Sequence, residues 1–471
     1  MAIEEDLDIL KLDIAGLSKA YVEKQLSPLE VTRCLLDRIE KVNPKVNAFV
    51  TLLEEEAIAS AVQAEKEIQS GHVKGPLHGI PIGLKDIIYT AGVRTTMGSS
   101  IYKDFIPNQD ATVVEKLKEA GTILLGKVNT HEFAYGATGD RSYFGATRNP
   151  HNLMKVPGGS SSGSAAAVSS GLCYAALGTD TGGSIRHPSS FCGIVGMKPT
   201  FGRVSKQGVF PLSQTLDHVG PMTRTIRDNA IVLNALIGYD PKDPYSSKTE
   251  TEDFTRRLEQ GIKGTTIGIP RGYYYENAES EVIERVEEAM RVFQSLGAKI
   301  KDVDLPHMKE IAMAHQVTIR SEAYAVHERL VMEQPEEYDE EVRERLLTGK
   351  NITAVQYIQA QQTKLQGIEE FNRVLGDVDI LLTPTLPLVA PDIIPSGFDE
   401  SNTSVRWTIN RFAGPTNLLG LPSLSIPCGF SSTGLPIGMQ LIGRAFDEAN
   451  VYRFGYAFEQ EVSINTLKLF V

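Results

Sequence analysis

Thr266-Ile-Gly-Ile269, then Glu281-Val-Ile-Glu-Arg-Val-Glu-Glu-Ala-Met-Arg-Val-Phe-Gln-Ser-Leu296, Gly297 and Ala298-Lys-Ile-Lys-Asp-Val303 follow in turn along the chain. The first piece reads as a strand and the second as a helix with Gly297 as its C-cap. The third reads as another strand. Upstream, Ile80–Leu84 and Thr122–Gly126 read as strands around a helix at about Thr112–Glu119, with Gly121 just past its end. Asp377–Leu382 and Pro436–Ile442 read as late buried strands. Strand alternating with helix predicts an α/β sheet.

Residues 1–75 read as helical. Ser27-Pro28 offers an N-cap and a first-turn proline, and Glu30 completes a capping box. Val31, Leu35, Ile39 and Val42 then recur at helical spacing until Asn43-Pro44, where the helix is expected to stop. A second helix is expected over about Glu54–Gln69, ending at Gly71. About 305–375 is charged and poor in strand signal, and reads as a helical insertion on the main sheet.

With 471 residues, 41% hydrophobic and 23% charged, the chain is long enough for two or three domains or one large sheet. A net charge of −12 with no basic patch argues against a nucleic-acid partner. Cys34, Cys173, Cys192 and Cys428 form no C-x-x-C pair and read as free thiols. The acidic start Met1-Ala-Ile-Glu-Glu-Asp6 does not read as a signal peptide. No apolar run reaches the roughly 18 residues of a membrane span. A soluble cytoplasmic protein is expected.

Two loops stand apart. Val156-Pro-Gly-Gly-Ser-Ser-Ser-Gly-Ser-Ala-Ala-Ala-Val168 and Gly178-Thr-Asp-Thr-Gly-Gly-Ser184-Ile-Arg-His-Pro188 are glycine-rich, which lets backbone N–H groups approach a ligand. No Lys follows Gly163, so the first is not a phosphate loop, and Pro157 precedes it where a dinucleotide fingerprint needs a strand. The nine His show no ligand spacing, and no metal site is expected. Gly159-Ser160-Ser161-Ser162-Gly163 matches a G-x-S-x-G elbow centred on Ser161, but residues 149–157 read as loop. Lys85 ends the apolar run His78-Gly-Ile-Pro-Ile-Gly-Leu-Lys85. Taken alone it reads as a snorkelling or paired lysine. Buried, it would become a neutral amine, a base for serine nucleophiles; lowering it to near 7 costs about 4–5 kcal/mol.

Lys85, Gly158-Gly-Ser160-Ser161 and the second loop together resemble the amidase signature family. The likeness continues through Phe191-Cys-Gly-Ile-Val-Gly-Met-Lys-Pro-Thr200, Leu216-Asp-His-Val-Gly-Pro-Met-Thr-Arg224 and Thr416-Asn-Leu-Leu-Gly-Leu-Pro422. It is strongest over about 76–240, moderate over about 376–445 and weakest in the insertion. The resemblance implies one large α/β/α domain over 1–471, a mixed twisted sheet covered by helices. It implies Ser184 as nucleophile of an acyl-enzyme, Ser160, after a cis peptide bond, as bridge, and Lys85 as base. The N–H groups of Thr181, Gly182, Gly183 and Ser184 would form the oxyanion hole, braced by Asp180 and Arg186. No cofactor is implied.

Two branches of the family fit. One is the stand-alone amidase, acting on a small-molecule amide, with which a homodimer is compatible. The other is the A subunit of the amidotransferase that amidates misacylated glutamyl- or aspartyl-tRNA with ammonia from glutamine, and only that branch calls for partner subunits. Asn410 stands where that subunit carries an acidic residue, and the insertion reads as shorter, so the stand-alone hydrolase is expected. Substrate contacts are expected from the loop 134–138 (Ala134, Tyr135 and Gly136), from the insertion and from the region around 405–417, Asn410 included.

Overall fold

The computed structural model describes residues 9–393, 400–464 and 466–470, the side chains of 400–403 and 406 excepted; the acidic start Met1–Asp6 lies outside them. Its described strands are β1 (Phe49–Leu52), β2 (Pro81–Lys85), β3 (Ile123–Val128), β4 (Ala175–Asp180), β5 (Val195–Lys198) and β6 (His218–Thr223), followed by β7 (Thr266–Ile269), β8 (Lys299–Asp302), β9 (Ile380–Pro384), β10 (Ser423–Phe430) and β11 (Pro436–Ile442). All eleven belong to one sheet in the order β1-β3-β2-β4-β6-β5-β10-β11-β9-β7-β8. β2 runs parallel to β3 and β4, and β7 parallel to β8 and β9, while the remaining pairs are antiparallel. The sheet is therefore mixed, as expected, and helices cover it.

Local chemistry explains several elements. The capping box at Ser27 and Glu30 forms. The helices Glu54–Gln69, Thr112–Glu119 and Ser280–Ser295, and the strands β7, β8 and β11, lie within a residue of their expected bounds. The insertion holds the helices Met308–Glu333, Glu340–Leu347 and Ala354–Asp377.

Three expectations need correction. The helix from Pro28 continues through Pro44 to Val46. Pro44 lies in its last turn, and the Asn43 side-chain oxygen accepts from Ala48 and Phe49 N–H at 2.8 and 2.7 Å, organising the exit beyond it. Residues 1–75 are not all helical, because Phe49–Leu52 pairs with β3 as an edge strand. Gly178-Thr-Asp180 is not loop but the end of β4, every residue of which is buried. A strand buried on both faces shows no polar alternation, and β4, β5 and β6 are all of this kind.

Candidate active site

The Leu84↔Leu177 register of β2 against β4 sets Lys85 beside the end of β4. There Lys85 Nζ, fully buried, donates to Ser160 Oγ at 2.6 Å and to Thr179 Oγ1 at 2.8 Å. Burial lowers its pKa from 10.5 to about 7, against the upward pull of the Asp217 and Asp180 carboxylates. The Gly159–Ser160 peptide bond is cis. Ser184 lies past the end of β4, and its carbonyl accepts from Ser161 N–H at 3.2 Å.

The loop between β4 and the helix Arg186–Cys192 is organised by Asp180. Its carboxylate accepts from Gly183 N–H at 2.7 Å, from Ile185 N–H at 3.2 Å, and from Arg186 Nε and Nη2 at 3.0 Å each. Burial alone would raise this carboxyl, but the Arg186 charge and hydrogen bonds hold it far below the usual range. Arg186, itself fully buried, also donates to Thr416 Oγ1 at 2.6 Å, Gln440 Oε1 at 3.1 Å and Asn417 Oδ1 at 2.7 Å. The pair thus ties the serine loop to the chain after Ala413. This geometry corrects one expected role. Gly183 N–H is committed to Asp180, so it does not point at a developing oxyanion. The N–H groups of Thr181, Gly182 and Ser184 have no protein acceptor among the described residues. Gly183 is required for a different reason: at φ +127° a Cβ there would fall 1.9 Å from His187 Nε2.

Ser184 opens on a cavity of about 220 Å³ that brings together Thr181, Gly182, Ala134, Tyr135, Gly136 and Asn410. The four expected substrate contacts therefore all line it. The insertion and the region 405–417 contribute as expected, through residues not singled out in the sequence: Arg320, Arg345, Trp407, and His315, whose Nε2 bonds the Thr181 carbonyl at 3.0 Å; Thr179, which accepts from Lys85, was not assigned a role. Of these only Thr179 lies in a quoted motif. Asp217, in a quoted motif but unassigned, accepts from Thr181 Oγ1 at 2.6 Å. Ser161 does not behave as an elbow nucleophile. No strand precedes it, and its fully buried Oγ is engaged by the Thr179 backbone, donating to O and accepting from N–H at 3.1 Å each. Among the described residues no group of three or more His, Cys, Asp or Glu is arranged to hold a metal ion. No described helix is long and apolar enough to cross a membrane.

Known proteins resemble this chain along nearly its whole length. The glutamyl-tRNA(Gln) amidotransferase A subunit of Geobacter sp. (strain M21) is 40% identical over 479 residues, covering 97% of this chain and 98% of its own. A solved structure described as a vestigial protein complex revealing the evolutionary origins of an s-triazine catabolic enzyme superposes with a TM-score of 0.91 at 32% identity, over 97% of this chain and 100% of that one. Peptide amidase from Stenotrophomonas maltophilia gives 0.84 at 31% identity, over 96% of each chain. The aligned span with the Geobacter protein runs through the insertion. The family model described as Amidase matches residues 30–452, a span that contains Lys85, both glycine loops and the cavity beside Ser184, and the chain belongs to that family of enzymes hydrolysing amide C–N bonds.

Proposed function

We propose that this chain hydrolyses a small carboxamide to an acid and ammonia or an amine through an acyl-enzyme on Ser184. The observation that carries the reading is the buried, readily neutralised Lys85 amine 2.6 Å from Ser160 Oγ, with the next residue, Ser161, bonded through its N–H to the carbonyl of the cavity-lining Ser184. Neutral Lys85 accepts the Ser160 proton while Ser160 accepts that of Ser184. Ser184 Oγ then attacks the amide carbon, and the carbonyl oxygen gains negative charge toward the N–H groups of Thr181, Gly182 and Ser184. The C–N bond breaks as the proton returns through Ser160 to the leaving nitrogen, and water cleaves the resulting ester by the same relay. The cycle draws on no metal or cofactor.

A second reading, the glutaminase component of a tRNA-dependent amidotransferase, is favoured by the relatives. Curated proteins about 40% identical over 97–98% of this chain carry the amidotransferase name, and this resemblance weighs more than the replacement at Asn410. Both readings share the acyl-enzyme chemistry and differ in where the ammonia goes. The test is the purified chain assayed on aliphatic, aromatic and amino-acid amides, glutamine included, with and without amidotransferase partner subunits. Turnover of simple amides by the chain alone supports the hydrolase. Glutamine as the best amide, together with stable co-purification with partner chains, overturns the stand-alone assignment. Full activity in Ser184→Ala refutes both readings.

A further inference from the structure

We infer that the cavity beside Ser184 selects amides whose acyl part ends in an anionic carboxylate, and that Arg320 is the residue that receives it. The inference rests on the hydrolase reading above and names its substrate class. It follows from the pairing of charges around the cavity. Two carboxylates line the wall, Glu341 and Glu344, and both face cations already. Glu341 pairs with Arg345 at 2.8 Å and faces Arg141 at 3.6 Å, while Glu344 lies 3.5 Å from Arg343. Arg345 is further held by the Tyr135 carbonyl at 3.0 Å and lies over the Tyr135 ring. Each of the two carboxylates therefore has a cation of its own, and Arg343 also faces Glu336 at 3.9 Å.

The Arg320 side chain has no ion pair or hydrogen bond of its own among the described residues. It is half-buried and lines the same cavity. Among the four Arg and Glu side chains that line the cavity, Arg320, Glu341, Glu344 and Arg345, it is the one without an opposite charge beside it. A guanidinium cannot shed its proton, and its planar fork matches a carboxylate with two parallel hydrogen bonds. Position supports the same assignment. Arg320 follows His315 by five residues in the helix Met308–Glu333, and His315 touches the Thr181 carbonyl of the serine loop. Five residues of helix rise about 7.5 Å, a separation that a short acyl chain spans. The cavity's other polar contacts include neutral Asn410 and Gln316, and its two carboxylates are already matched, so a substrate ammonium finds no unmatched anion. Anionic monoamides of dicarboxylic acids should therefore exceed both neutral amides and zwitterionic glutamine.

The experiment compares kcat/KM for succinamate, butanamide and glutamine in the wild type and in Arg320→Met. The Ser184→Ala protein, with and without Arg320→Met, is titrated calorimetrically with succinamate. Succinamate should exceed butanamide by at least about tenfold, the least expected for a charged hydrogen bond. Arg320→Met should erase that preference through KM and abolish binding to the Ser184→Ala protein, with Arg320→Lys intermediate. Added salt should narrow the preference. Equal turnover of butanamide and succinamate by the wild type, or an undiminished preference in folded Arg320→Met, overturns the inference while leaving the hydrolase reading intact. If no amide is turned over but Ser184→Ala binds succinamate in an Arg320-dependent way, the carboxylate seat stands and the hydrolase reading falls.

Discussion

Lys85→Met removes the amine beneath Ser160, and the proposed mechanism then requires activity to fall by about 10²–10⁴-fold. The sharper consequence is for stability. Burial lowers the Lys85 pKa from 10.5 to about 7. That difference of 3.5 units corresponds to roughly 5 kcal/mol at 1.36 kcal/mol per unit. Above pH 10.5 the amine is neutral both folded and unfolded. As pH falls from there, the unfolded chain takes up the proton first, so stability declines until the folded amine also titrates near 7 and then levels off. Against that penalty stand two hydrogen bonds, to Ser160 and Thr179, each contributing about 1 kcal/mol. At pH 6 the methionine variant should therefore be more stable than the wild type by roughly 3 kcal/mol, the order of the penalty less the two bonds. The advantage should shrink by about 1.4 kcal/mol per pH unit above 7 and reverse as the amine becomes neutral in both states. Urea midpoints and calorimetric transitions of both proteins at pH 6, 7, 8 and 9 give the comparison. A pH-independent difference, or a variant already weaker at pH 6, would refute the claim that Lys85 is held near neutrality by burial.

Three further outcomes follow from the same geometry. Ser161→Ala should keep activity but lower stability by about 1–3 kcal/mol, because it orphans the buried Thr179 N–H and C=O that Ser161 Oγ engages; kcat and the melting temperature, measured together, separate this from a nucleophile role. Arg186→Met leaves Asp180 buried without its cation and should cost about 3–5 kcal/mol, read as a lowered urea midpoint with loss of activity from the unbraced loop. Asp217→Asn removes the carboxylate that most strongly raises Lys85, so the acid limb of the pH–rate profile should move to lower pH, whereas a purely structural Asp217 would change the rate without moving that limb.

The chemistry that the sequence determined by itself is chemistry that acts over a few residues. The Ser27–Glu30 capping box, the glycine stops at Gly71 and Gly121, and the β7–helix–β8 unit depend on neighbours close in the chain, and they form where the pattern puts them. The catalytic candidates were legible as well, because two glycine loops and a lysine at family intervals survive as text. Where Lys85 points was decided by tertiary structure. The amine meets Ser160, 75 residues away, only because β2 pairs with β4 and the loop before the helix Ser162–Ser169 lies across both strand ends. β4 escaped notice for the same reason that it is useful: a strand inside the sheet, buried on both faces, carries Ala, Gly and Thr with no polar alternation. The approach of Arg141 to Glu341 and the hold of Arg186 on Thr416, Gln440 and Asn417 were equally out of reach. So was the position of Arg320 on the cavity that Ser184 lines. Each depends on which hydrogen bonds and charges remain unmatched once distant segments are packed together, and a linear sequence does not record that remainder.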